Sequence, residues 1–86
     1  MYCIELTIKL SPMHLVVQRK EHGDAQRLYS EVINSIKNGN QRFLELTCEK
    51  VDDKRLAVLV SEITAVQIYE KTSSSTSKRP GFSLQN

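Results

Sequence analysis

The sequence predicts an α+β fold in which a single helix packs on one face of a mainly antiparallel sheet, with the element order β-β-α-β-β-β. Three observations carry that reading. Apolar and polar residues alternate over residues 2–10, the period of a half-buried strand. Over residues 24–38 the period lengthens to that of an amphipathic helix. After Gly39 the two-residue alternation returns three times, over residues 43–49, 56–60 and 65–69. One helix covers only one face of such a sheet, so the other face is expected to meet the surroundings.

In the first strand Tyr2, Ile4, Leu6, Ile8 and Leu10 share the inward side, and Cys3, Glu5, Thr7 and Lys9 the outward one. Ser11 and Pro12 supply a turn and withhold a backbone donor. Leu15 and Val17 then continue the inward face with His14, Val16 and Gln18 opposite, which makes the first two strands a hairpin. The helix carries an apolar stripe of Ala25, Leu28, Tyr29, Val32, Ile33 and Ile36. Asp24 is its expected N-cap, because a carboxylate can accept from the free amides of the first turn, and Gly39 its C-terminal stop in the left-handed conformation. Leu44, Leu46 and Cys48 point inward against Phe43, Glu45, Thr47 and Glu49. A polar turn at residues 51–54 leads to inward Leu56, Val58 and Val60, and Ser61 with Glu62 forms a tight turn. The fifth strand places Val66 and Ile68 inward and Ala65, Gln67 and Tyr69 outward. An opening hairpin followed by a helix is β-grasp-like, with a central first strand, although two hairpins packed side by side satisfy the same pattern.

Eighty-six residues form one domain, and a chain of this size buries about 60 to 65% of the surface it exposes when unfolded, which leaves little room for a large cavity. Residues 1–70 read as a compact domain with nine Lys/Arg against ten Asp/Glu, a net −1. Residues 71–86 read as a disordered, Ser/Thr-rich basic tail, since so little apolar material cannot offset the entropy of ordering. The longest apolar run, residues 56–60, is far below the roughly 20 residues that span a bilayer, and residues 1–10 do not have the make-up of a secretory signal. A cytoplasmic location is therefore expected.

No residue pattern calls for catalysis, a metal or a cofactor, and the expected protein is not an enzyme. Cys48 shares its side with Leu44 and Leu46, so it is expected beneath the helix, where apolar surroundings raise a thiol's pKa and leave it inert. Cys3 faces the other way, which rules out a redox pair. His14 and His22 lack metal-ligand spacing, and Glu5, Glu45 and Glu49 read as solubilising charges. The outward apolar residues matter more. Val16, Phe43, Leu59 and Tyr69, with Ala57 and Ala65, make a candidate interface for an unknown protein partner or for a second copy in a homo-oligomer. The alternative is an RNA-binding module using a basic edge of Arg19, Lys20, Lys54 and Arg55, supplemented by Lys78 and Arg79.

The segments "QRKEHGDAQRLY", "LELTCEK" and "LVSEITAVQIYEK" resemble a family of small uncharacterised cyanobacterial proteins, from Met1 to about Lys71. The resemblance implies a soluble compact domain without an assigned activity, and it brings no catalytic or binding residue with it.

Overall fold

The structure is a computed structural model and describes residues 1–71. Five strands and one helix follow in the expected order: β1 (Tyr2–Ile8), β2 (His14–Arg19), α1 (His22–Asn38), β3 (Phe43–Thr47), β4 (Arg55–Leu59) and β5 (Ile63–Glu70), with a 3-10 turn at Val60–Glu62 before the last strand. The fold is α+β. Of the predicted tail only Lys71 lies within the described residues, where its N–H donates to the Met1 carbonyl at 2.8 Å and prolongs the β5 pairing by one residue.

The strands divide between two sheets. β1 is central in an antiparallel sheet of order β2-β1-β5, and β3 pairs with β4 in a second. Ile4 aligns with Val17 on one side and Ile68 on the other, and Leu6 with Leu15 and Val66, so the inward rows of the three strands coincide. In the second sheet Leu44 aligns with Val58 and Leu46 with Leu56. The helix and both sheets close on one core of Ile4, Leu6, Val17, Ala25, Leu28, Val32, Leu44, Leu46, Val58, Val60 and Ile63. The position of β1 agrees with the β-grasp comparison; the separation of β3 and β4 into their own ribbon does not follow from it.

A seam of polar bonds joins the ribbon to the β2 edge. The Glu49 N–H donates to the Gln18 carbonyl at 2.9 Å. Lys54 Nζ donates to the Val16 carbonyl at 2.9 Å and Arg19 Nη1 to the Thr47 carbonyl at 2.6 Å. Side chains here replace part of a strand ladder, satisfying backbone groups that cannot be left buried and unpaired.

Three expectations need correction. Leu10 is 98% exposed rather than inward, because β1 ends at Ile8 and the chain reverses there: Leu10 takes φ 61° and the Ser11 N–H donates to the Ile8 carbonyl at 3.2 Å. Asp24 is not the N-cap. The helix begins three residues earlier, with Glu21 at the N-cap position, and Asp24 in its first turn pairs with Arg27 at 2.7 Å, where its charge also complements the helix dipole. Ile36 is exposed and Ser35 is buried in its place, its hydroxyl donating to Gln41 Oε1 at 3.2 Å. Gly39 ends the helix as expected, at φ 67°, its N–H donating to the Ser35 carbonyl.

Candidate functional site

The outer face of the three-stranded sheet is built by the odd residues of β1 and their register partners: Cys3 between Gln18 and Tyr69, Glu5 between Val16 and Gln67, Thr7 between His14 and Ala65. A line of polar contacts crosses the three strands on this face. The Tyr69 hydroxyl donates to Glu5 Oε1 at 3.0 Å, Glu5 Oε2 lies 3.2 Å from His14 Nδ1, and Thr7 Oγ1 lies 3.3 Å from that same nitrogen. The Glu5 side chain is only 16% exposed, so it is a sheltered acceptor and not the solvated charge expected of it. Burial, then the Glu5 bond, pushes the Tyr69 hydroxyl well above its ordinary value. Cys3, also on this face, is 2% exposed, so the face is closed at that point instead of bare.

Cys48 is buried in the core as expected, against β2 at Gln18, yet its chemistry differs from the expectation. Its sulfur is within 3.3 Å of the Gln18 N–H. Burial pushes the thiol up, but the backbone amides of Val51, Gln18 and Lys50 and the Lys54 ammonium outweigh it, so the thiol sits below its ordinary value. An apolar surrounding would have raised it; donors from the seam reverse the sign.

The four candidate interface residues fall into two pairs. Val16 and Tyr69 flank Glu5 on the three-stranded sheet, and the Tyr69 hydroxyl is already engaged. Phe43 and Leu59 stand directly opposite each other on the β3–β4 ribbon, 58% and 38% exposed. Leu59 also lines a groove of about 450 Å³ with Ile36, Arg42, Val60 and Ile63, between the C-terminal end of α1 and the start of β5. A second groove, also about 450 Å³, lies at the other end of β5, lined by Tyr2, His22, Gln26, Ile68, Tyr69 and Glu70. Sequence reasoning missed both grooves, because it took Ile36 as core and could not place the helix ends against β5.

The four basic residues do gather, around residues 47–49. Two of them hold the seam, Arg19 through the Thr47 carbonyl and Lys54 through the Val16 carbonyl. Arg55 is the register partner of Thr47, and the Lys20 N–H donates to Glu49 Oε1 at 2.7 Å, so an acid stands in the middle of the group. Among the described residues no cluster of three or more His, Cys, Asp or Glu is placed to hold a metal ion. Among them, too, no helix is long and apolar enough to cross a membrane.

Residues 3–71 match the model of the UPF0367 protein family. The chain belongs to that family. A UPF0367 protein of Prochlorococcus marinus strain NATL1A is 87% identical over 86 residues, covering the whole of both chains. One from Synechococcus sp. strain CC9902 is 55% identical over 87 residues, again over the whole of both. A third, from Synechococcus sp. strain CC9311, is 56% identical over 99% of this chain and 78% of its own. The cyanobacterial resemblance read from three segments therefore holds, and UPF0367 proteins carry no assigned activity. No solved structure matches the chain.

Proposed function

We propose that this UPF0367 chain is a non-enzymatic protein–protein interaction module that associates with a second copy of itself, with Phe43 and Leu59 as anchors. The observation that supports this is their pairing: two large apolar side chains sit opposite one another and exposed on the ribbon, and Leu59 continues into a groove of mixed lining between the end of α1 and β5. A small domain has little apolar surface to spare, and a contiguous exposed set marks a contact surface. The basic group supports RNA binding less well, since Arg19 and Lys54 are held in the seam.

Light scattering after gel filtration tests the reading. The native chain should elute as a dimer or larger, and Leu59→Glu should shift it toward the monomer by placing a charge where apolar contact is needed. A native chain that stays monomeric up to high micromolar concentration overturns the reading.

A further inference from the structure

The two edges of the three-stranded sheet are treated differently. Antiparallel pairing sends the N–H and C=O groups of alternate residues to opposite sides of a strand. Lys71 bonds Met1 across the β1–β5 pair, so Tyr69, Gln67 and Ala65 also turn their backbone groups toward β1, and those of Glu70, Ile68 and Val66 point away from it, as far as the register shift at Thr64. The same count on the other side sends the groups of Val16 and Gln18 outward from β2, and there the chain meets them: the Gln18 carbonyl by the Glu49 N–H, the Gln18 N–H by the Cys48 sulfur, the Val16 carbonyl by Lys54. The β2 edge is sealed by its own polypeptide. The β5 edge is not, since β5 is terminal in the sheet and its outward backbone groups have no bond among the described residues.

Exposed edges are ordinarily blunted by lysine, proline or very short strands. β5 has none of these three devices, and its one irregularity, a β-bulge, is confined to its first residues. It runs eight residues, "ITAVQIYE", with a single charge at its last position, and on the core side its Val66 and Ile68 are only half-buried. Resting on the proposal that this chain meets a copy of itself, we propose that the contact runs on from the Leu59 groove, which reaches Ile63 at the start of β5, along this edge: two β5 strands pair antiparallel about a two-fold axis at Gln67, forming a continuous six-stranded sheet. Outward backbone groups must face outward backbone groups, and the register centred on Gln67 does this. Val66 then lies opposite the partner's Ile68, twice, giving about four main-chain hydrogen bonds, and the register shift at Thr64 ends the ladder on either side. The half-buried Val66 and Ile68 cover each other on the core side. On the outer face Ala65 meets the partner's Tyr69, and the two Gln67 side chains meet at the axis. The antiparallel register also keeps the two Glu70 carboxylates apart, at opposite ends, and brings Lys71 alongside the partner's Glu62. A second copy suits this edge because the strand is complementary to itself in that one register; the symmetry of such a pair is that of most soluble dimers.

Gln67 is exposed, so changing it leaves the core intact. In Gln67→Cys the two new thiols face each other at the axis, within the Cα separation a disulfide accepts, whereas in Ala65→Cys each faces the partner's Tyr69. Under mild oxidation Gln67→Cys should give a cross-linked dimer in which the peptide bearing the new thiol is joined to itself. Ala65→Cys should give little, and the native Cys3 and Cys48 are buried. Gln67→Lys, which sets two ammonium groups face to face, should weaken the dimer about tenfold or more in light scattering, with its circular dichroism unchanged. A native dimer in which Gln67→Cys cross-links no better than Ala65→Cys overturns the edge pairing and leaves self-association standing. A native monomer overturns both.

Discussion

Tyr69 shows how a residue's sequence position and its role diverge. Alternation places it on the outer face, and there it is, but its ring carries a hydroxyl that donates to Glu5, and Glu5 in turn faces His14 on the next strand. The line of contacts crosses all three strands, and its Tyr69–Glu5 link joins residues 64 apart in sequence, so no local pattern announces it. Cys48 is a mixed case: against burial, its thiol is lowered by the Val51 and Lys50 amides and the Lys54 ammonium in the turn that follows it, and by the Gln18 N–H, 30 residues away. Tyr69 has a consequence for pH. Its hydroxyl titrates higher in the folded state than in an unfolded chain, where about 10 is usual. Between the two values the native state holds a proton that the unfolded state has lost, so this contribution is complete below about pH 10 and is lost as pH rises further. Urea unfolding midpoints of the native chain should therefore fall on going from pH 8 to pH 11, and Tyr69→Phe should show a shallower fall. Equal slopes would remove Glu5 and burial as the cause.

Element by element, what was legible in the sequence is what depends on local periodicity. Every strand, the helix, the Gly39 stop and the turn before β5 fall where alternation and turn chemistry put them. The misreadings sit at ends and seams. The helix starts at His22 without a side-chain cap, where the Tyr2 ring meets His22 edge-on at 5.1 Å, a tertiary contact that no local pattern announces. Ser35 takes the buried place expected of Ile36 because Gln41, in the following loop, supplies a partner for its hydroxyl. The division into two sheets was illegible for the same reason: it depends on Lys54 and Arg19 reaching across to backbone carbonyls 38 and 28 residues away. Lys54→Met keeps the aliphatic stem and removes the donor, leaving the Val16 carbonyl unpaired in a part-buried seam. Losing such a partner costs about 1 to 3 kcal/mol. Native-state hydrogen exchange should show the Glu49 amide losing protection in this variant while amides at the centre of β1 change little. Uniform loss across the chain would mean that the seam is not a separable unit.

Among the described residues one core serves a helix and two sheets, and β5 is left with a free edge and a groove at each end, one of them shared with Leu59. A chain this small has a narrow margin of stability, and covering an edge by association adds to it in a way that folding alone does not. If the native chain is a dimer, folding and association are linked, and unfolding depends on chain concentration. Each tenfold rise in concentration is worth about 1.4 kcal/mol per mole of dimer. The urea midpoint of the native chain should accordingly rise between 1 and 100 µM, a range of about 2.7 kcal/mol by that relation. The midpoint of Gln67→Lys should be nearly flat over the same range and should lie below the native curve, because its fold is intact and only the pairing is lost. Coincident native midpoints at both concentrations would mean that the β5 edge stays open in solution, and that the domain's stability is complete in the single chain.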